Sequence, residues 1–175
     1  DRPGDRAPAA HHPASTSDLT FTQAMVKNVQ FGSAYRESGD VAAMRAATER
    51  LLSMPFVRGV PDGQRPQPDV IGGVPGEWLS PDTAIRRGTL VFFHGGGYVR
   101  GSLALGRSNA AELAARTGMR CFSVDYRQAP EHRFPAPVED AIAVCHALGH
   151  ADPDPFLLAG ESAGGGIVVA AAMRL

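Results

Sequence analysis

The sequence predicts an α/β fold in which helices flank a mostly parallel sheet. In the second half of its 175 residues, short segments that are apolar on both faces alternate with helical segments. This alternation is typical of βαβ units around a buried parallel sheet. Two glycine-rich loops follow predicted strands, at the carboxyl ends where such sheets carry their reactive groups. The length suits one domain, for which ~150 residues is a common size.

The composition is that of an ordinary globular protein, with 43% hydrophobic residues, 20% charged residues and a net charge of -1. Disorder of the whole chain is excluded, because disordered proteins have fewer apolar residues and a larger net charge. General nucleic-acid binding is excluded because 17 basic residues are balanced by 18 acidic ones. No apolar run approaches the ~18 residues of a membrane span, and no signal-peptide pattern is found. Two cysteines are too few for a disulfide framework. We therefore expect a soluble, cytoplasmic protein.

The N-terminal part of the chain is expected to form a tail followed by a small helical unit. Residues 1–18 mix Pro, Ala, Ser and charged residues without periodicity, which predicts a mobile tail. Residues 19–55 have a helical pattern, with Asp40 as the N-cap of a helix over 41–54 and a weaker helix over 21–35. We expect these two helices to form an N-terminal cap.

The remaining region, residues 56–175, is predicted to contain the sheet and its flanking helices. Short strands over 56–60 and 69–79, which Pro and Gly interrupt, predict an antiparallel edge. From residue 89 the pattern alternates, with strands predicted at 89–93, 119–125 and 156–159 and helices at 108–117, 138–148 and 163–175.

The strongest chemical signal is the pattern G-x-S-x-G, formed by Gly160-Glu161-Ser162-Ala163-Gly164 between a predicted strand and a predicted helix. A serine at such a sharp turn adopts a strained backbone conformation, and the residues two positions away must be small where strand and helix approach. The helix N-terminus also supplies oriented N–H groups. The pattern predicts Ser162 as a nucleophile. The alternative, a glycine-rich turn with an incidental serine, is weaker because strand and helix flank the motif.

A second motif, His94-Gly95-Gly96-Gly97-Tyr98, follows the strand predicted at 89–93. Consecutive glycines allow backbone N–H groups to face a developing oxyanion without interference from a Cβ atom. A phosphate-binding loop is excluded, because neither G-x-G-x-x-G nor G-K-[ST] occurs in the chain. We interpret the histidine as a residue that shapes the loop, in preference to a general base.

Three motifs together resemble a known family: HGGGY at 94–98, DYRQAPEHRFPAPVED at 125–140 and GESAGG at 160–165. They are similar to those of the hormone-sensitive-lipase-like (bacterial family IV) branch of the α/β-hydrolase superfamily. The resemblance implies an α/β-hydrolase fold with an N-terminal helical cap at 19–55 and the first part of the catalytic domain at 56–175.

The resemblance also implies a carboxylic-ester hydrolase whose substrates are small-molecule esters with short to medium acyl chains. On the family's motifs, Ser162 is the nucleophile, and Gly96, Gly97 and Ala163 offer the N–H groups of the oxyanion hole. No metal or organic cofactor is expected, because this acyl transfer needs only side chains and backbone donors. Deacetylase and lactonase activities stay open, since they use the same serine chemistry.

The middle motif is expected to have a structural role. Asp125, Tyr126, Arg127 and Glu131 match family residues that support the loop and are not catalytic. The sequence departs from the family pattern at two places: Gln128 stands where Leu is usual, and Gly166-Ile167 stands where Asn-Leu commonly follows the serine motif. Both departures leave the nucleophile assignment intact.

The serine lacks its expected partners within the chain. Serine is activated by a histidine that a carboxylate orients, and in α/β-hydrolases the order is Ser, acid, His. The 13 residues after Ser162 include no Asp, Glu or His. We therefore expect the triad Asp and His beyond residue 175 and no measurable activity from this chain alone. A non-catalytic fragment or binding module is the alternative. The expected protein partners are the C-terminal half of the same enzyme and a second copy of it.

Overall fold

The computed structural model describes residues 40–52, 60, 64–81, 87–151 and 154–175. The predicted tail and the weaker N-terminal helix lie outside the described residues, as does nearly all of the first predicted edge strand.

The described part of the chain forms four helices and five strands. Their order and bounds are α1 Val41–Leu52, β1 Gln67–Ile71, β2 Val74–Leu79, β3 Thr89–Phe93, α2 Leu103–Thr117, β4 Arg120–Val124, α3 Ala136–Ala151, β5 Phe156–Gly160 and α4 Ala163–Ala172. The predicted sequence of strands and helices from residue 89 onward is therefore confirmed. Asp40 caps α1 as predicted, since its Oδ1 accepts a hydrogen bond from the N–H of Ala43 at 2.8 Å.

Helix α2 begins five residues earlier than the sequence indicates, at Leu103 instead of Ser108. Gly106 lowers the helical signal of this first turn, because glycine is a poor helix former. The structure shows why glycine stands here: a Cβ at this position would lie 2.8 Å from the Cβ of His94 and 3.0 Å from the ring of Phe92. The helix therefore approaches the end of β3 at a distance that larger residues do not allow.

The strands form one mixed sheet in the order β1-β2-β4-β3-β5. Strand β3 pairs in parallel with both β4 and β5, whereas β2 pairs antiparallel with β4 and with β1. The parallel part, with helices on its faces, and the antiparallel hairpin β1–β2 at one edge agree with the predicted α/β-hydrolase fold class. The strand predicted over 69–79 is a hairpin, because Gly72 and Gly73 adopt positive φ angles and reverse the chain.

Both faces of the sheet are covered by apolar side chains. All five residues of β3 are buried, which explains why this strand is apolar without alternation. Phe93, Phe122 and Ile167 belong to the cluster on the face that α3 and α4 cover. Leu90 and Phe92 belong to the opposite cluster, which α2 covers. The two glycine-rich loops thus start from the most deeply buried strand and its neighbour.

Strand β5 pairs on one side only among the described residues. Leu157 of this strand is 51% exposed, and Val169 of α4 is 61% exposed. Ile167 of the same helix is only 1% exposed, because it packs into the core beneath α3. None of the described helices is both long and apolar enough to cross a bilayer.

A buried carboxylate on β2 is neutralised from helix α2. Glu77 has a side chain that is 4% exposed, and Arg107 donates two hydrogen bonds to it at 2.7 and 2.8 Å. A second arginine of the same helix, Arg116, pairs with Glu112 at the surface, where the side chains are 76% and 44% exposed. The two pairs have the same chemistry but differ in burial.

We therefore expect Arg107→Met to lower the free energy of unfolding by about 2–3 kcal/mol, because it leaves a buried charge without a partner. The matched variant Arg116→Met should change it by less than about 0.5 kcal/mol, since exposed pairs contribute little. Urea unfolding of both variants measures the difference. Equal effects of the two substitutions would contradict the role assigned to the buried pair.

Candidate active site

Ser162 lies in the turn between the end of β5 and the start of α4. It is exposed, and its backbone angles are φ 50° and ψ -116°. A positive φ is rare for a residue with a Cβ and carries strain of about 1–3 kcal/mol. The turn therefore holds this serine at the surface, beyond the carboxyl end of the strand.

The glycines on either side of the serine are required by the packing of the turn. A Cβ on Gly160 would collide with the backbone of Gly164, and a Cβ on Gly164 would collide with the carbonyl of Phe93. Backbone atoms cannot move aside as the end of a flexible side chain can. Helix α4 thus starts in contact with the ends of β3 and β5, and only glycine fits at both positions.

Backbone hydrogen bonds fix the turn in this position. The N–H of Glu161 donates to the carbonyl of Phe93 at 3.2 Å, and the N–H of Gly164 donates to the carbonyl of Glu161 at 2.8 Å. The N–H of Ala163, the first residue of α4, has no hydrogen-bond partner among the described residues. It remains available at the positive end of the helix dipole.

The glycine-rich loop after β3 has an unusual backbone. Gly96, Gly97 and Tyr98 have positive φ angles of 130°, 65° and 65°. The carbonyl of Gly96 accepts a hydrogen bond from the N–H of Arg100 at 3.1 Å. In the described chain the N–H groups of Gly96 and Gly97 donate to no partner. The loop therefore offers two backbone donors where no Cβ shields them.

The serine turn and the glycine-rich loop lie against each other. A Cβ on Gly95 would lie 3.0 Å from Oε1 of Glu161, whose other oxygen accepts a hydrogen bond from Asn109 of α2. The Tyr98 hydroxyl lies directly over Gly166 in the first turns of α4. The arrangement combines an exposed serine with N–H donors that have no partner among the described residues, which suits the stabilisation of negative charge on a substrate oxygen.

His94 is buried beneath the loop. Its Nδ1 lies 2.7 Å from the Gly95 carbonyl, and its ring stacks on that of Tyr126 with 4.4 Å between centroids. The Tyr126 hydroxyl donates to the His94 carbonyl at 2.8 Å. Burial lowers the pKa of His94 below its ordinary value. These contacts suit a residue that shapes the loop from below.

The middle motif supports the loops through its charged side chains. Arg127 donates its backbone N–H and its Nε to the two carboxylate oxygens of Asp140, each at 2.8 Å. Glu131 accepts two hydrogen bonds from Arg45 of helix α1. The sequence analysis assigns a supporting role to Arg127 and Glu131. It assigns none to Asp140, which ends the motif, or to Arg45, whose partners are more than 50 positions away along the chain.

An apolar cavity of about 470 Å³ opens beside the glycine-rich loop. Gly97 and Tyr98 line it on the loop side, Phe134 and Val138 on the side of the middle motif, and Ile167 on helix α4. Sequence reasoning did not locate this cavity. Gly166 also lines it, and a larger residue there would displace the Tyr98 hydroxyl.

In the part of the chain that the structure describes, no group of three His, Cys, Asp or Glu side chains is arranged to hold a metal ion.

The packing around the turn predicts opposite effects for two adjacent glycines. Gly164→Ala places a methyl group against a backbone carbonyl and should lower the free energy of unfolding by about 3 kcal/mol. Gly165→Ala should leave it unchanged or raise it by up to ~1 kcal/mol, because its Cβ would meet only an ordinary contact at 3.5 Å. Thermal and urea unfolding test this, and a tolerated alanine at 164 would contradict the described approach of α4.

The buried histidine predicts a pH dependence of stability. Because the pKa of His94 is lowered in the folded state, the unfolded chain takes up its proton at higher pH than the native chain. The contribution of the neutral, buried His94 to the free energy of unfolding is therefore complete above pH ~6.5, and it is lost as the pH falls below that value. In His94→Asn the unfolding free energy should depend less steeply on pH between about 7.5 and 5.5. An NMR titration of the His94 ring with a midpoint above about 6.5 would contradict this.

Comparisons with known proteins agree with this geometry. Residues 90–175 match a family described as an alpha/beta hydrolase fold. LipR of Mycobacterium tuberculosis, named as a candidate acetyl-hydrolase, is 42% identical over 133 residues, which are 74% of this chain and 43% of that protein. An acetyl-hydrolase of Streptomyces hygroscopicus is 36% identical over 145 residues, 81% of this chain and 46% of that protein.

The fold is also similar to solved structures. A crystal structure of an esterase from the bacterial hormone-sensitive lipase family superposes with a TM-score of 0.68 and 40% sequence identity, over 77% of this chain and 46% of that one. The chain spans less than half the length of each of these three relatives. By fold, by the order of its three motifs and by sequence identity, the chain belongs to the hormone-sensitive-lipase-like family of the α/β-hydrolase superfamily.

Proposed function

We propose that the protein is a carboxylic-ester hydrolase that works through an acyl-serine intermediate on Ser162. The observation that carries this proposal is the position of that residue. It is exposed at a strained φ of 50°, at the N-terminus of a helix and beside a loop whose N–H donors have no acceptor in the described part of the chain. A purely binding role would not benefit from a strained serine, because the strain lowers stability.

In the proposed reaction the Ser162 oxygen attacks the ester carbonyl carbon and transfers its proton to a histidine. The carbonyl oxygen becomes an oxyanion that accepts hydrogen bonds from the N–H groups of Gly96, Gly97 and Ala163. Collapse of this intermediate breaks the bond to the alcohol oxygen, which leaves with the proton from the histidine. Water then attacks the acyl-enzyme through the same steps and releases the carboxylic acid.

The histidine and the carboxylate that orients it are proposed to lie beyond residue 175. His94 is unsuited to the role, because its ring is buried under the loop and none of its surface is exposed. The residues after Ser162 in this chain contain no acid and no histidine. The proposed activity is therefore that of the complete protein.

The proposed substrates are small esters with short to medium acyl chains. The apolar cavity beside Gly97 could hold a short hydrocarbon group next to the reacting carbonyl. The names of the two similar acetyl-hydrolases favour acetyl esters among these substrates. A cytoplasmic location stays a prediction from the sequence.

A fluorophosphonate probe tests the nucleophile directly, because it reacts with activated serines. The complete protein should be labelled at Ser162 and should hydrolyse p-nitrophenyl acetate. Ser162→Ala should lose labelling, and its turnover should fall by at least ~10³-fold, since only binding and oxyanion stabilisation remain.

Ser108→Ala, which removes a hydroxyl from helix α2, is the matched control and should keep both labelling and turnover. Labelling that persists in Ser162→Ala, or a complete protein that neither reacts with the probe nor cleaves the ester, would reject the proposed function.

A further inference from the structure

Helix α1 reaches the glycine-rich loop through two polar side chains one turn apart. Glu49 accepts a hydrogen bond from the Ser102 hydroxyl at 3.1 Å. Arg45 extends further and contacts both the loop after β3 and the middle motif. The helix that precedes the sheet in the chain is thereby attached to the two segments that surround the candidate site.

The guanidinium of Arg45 makes four hydrogen bonds to residues in the described part of the chain. Its Nε donates to the carbonyl of Val99 at 2.8 Å, and its Nη2 donates to the carbonyl of Ala129 at 3.0 Å. Its two terminal nitrogens donate to the carboxylate of Glu131 at 2.7 and 2.8 Å. Only the planar fork of an arginine can satisfy these acceptors together.

The glycine-rich loop depends on contacts from outside its own backbone. Three consecutive residues from Gly96 to Tyr98 have positive φ angles. Within the loop, the carbonyl of Gly96 accepts the N–H of Arg100, whereas the carbonyls of Tyr98 and Val99 have partners elsewhere in the chain. The carbonyl of Tyr98 accepts the N–H of Ala129 at 2.9 Å, and the next carbonyl, that of Val99, accepts Nε of Arg45. These two hydrogen bonds hold the backbone immediately after Gly97.

The carboxylate partner keeps the guanidinium in place. The hydrogen bond from Arg45 is the main cause that lowers the pKa of Glu131 to about 2. Glu131 is therefore ionised at neutral pH and orients the side chain whose other donors bind the carbonyls. The pair itself is half exposed, so its electrostatic attraction alone contributes little.

We propose that Arg45 is a positioning residue for the oxyanion donors. By binding the carbonyls of Val99 and Ala129 it holds the loop in the conformation that presents the N–H groups of Gly96 and Gly97 beside Ser162. The catalytic consequence rests on the proposed function. The structural part, that the guanidinium holds the loop, does not.

Arg45→Met retains most of the aliphatic stem and removes every donor. For a short-chain ester we expect kcat to fall by about 10- to 100-fold, because a small displacement of a donor has effects of this size. KM should change by much less, since the oxyanion exists only in the transition state. Arg116→Met, which breaks an exposed ion pair on α2, is the control and should leave kcat and KM unchanged. An unchanged kcat in Arg45→Met would overturn the proposal.

Two further variants separate the carbonyl contacts from the ion pair. Arg45→Lys keeps the charge but cannot reach both carbonyls and the carboxylate, so its kcat should fall nearly as far as that of Arg45→Met. Glu131→Gln leaves the donors to Val99 and Ala129 in place and should reduce kcat less. Full activity of the lysine variant, or an equal loss in Glu131→Gln, would show that charge alone matters and would overturn the proposal.

Hydrogen–deuterium exchange measures the loop without any substrate. In Arg45→Met the amides of residues 96–101 should exchange faster than in the wild type, whereas those of β4 should not change. Equal exchange in the loop would overturn the proposal whatever the activity. Failure of the wild type to hydrolyse esters or to react with the fluorophosphonate probe would instead reject the proposed function, so the two failures are distinguishable.

Discussion

The close approach of helix α4 to the ends of strands β3 and β5 is the constraint on which the rest of the site depends. Gly164 touches the last carbonyls of β3, and Gly160 touches Gly164 in turn. Because the helix starts so near the sheet, the chain between them must turn sharply, and Ser162 takes the positive φ that this turn requires. The same geometry leaves the N–H of Ala163 at the helix end with no acceptor in the described part of the chain.

At the candidate site, backbone N–H groups have no acceptor among the described residues because of the backbone conformations of the glycine-rich loop and of the serine turn. Most backbone N–H groups of folded proteins find an acceptor, and leaving them without one is unfavourable. Here the N–H groups of Gly96 and Gly97 in the glycine-rich loop, and of Ala163 at the start of α4, all lack one among the described residues. The buried Tyr126 donates a hydrogen bond to the His94 carbonyl at the start of the loop, and Arg45 donates one to the Val99 carbonyl at its end. Such a site is organised before any ligand arrives.

The sequence predicts well those features whose signals are local. Strand β3 is apolar throughout because both of its faces are covered, and the serine turn is marked by small residues at fixed spacing. The first turn of α2 is not predicted, because Gly106 weakens the helical pattern. The glycine is required there because the ring of Phe92 and the Cβ of His94 lie too close for a larger residue. The contacts of Arg45 have no local signal, since they join residues 54, 84 and 86 positions apart. The tail and the first cap helix lie outside the described residues, so those expectations stay predictions.

The contact between the Tyr98 hydroxyl and Gly166 has a consequence for how these two positions can vary. A side chain at 166 needs the space that the tyrosine hydroxyl occupies, so any residue larger than glycine there requires the aromatic ring to move. Substitutions at the two positions are expected to be strongly non-additive, as for any pair in direct contact. A mutant library that reshapes the cavity wall should therefore vary positions 98 and 166 together, because a larger residue at 166 fits only if the side chain at 98 moves or becomes smaller.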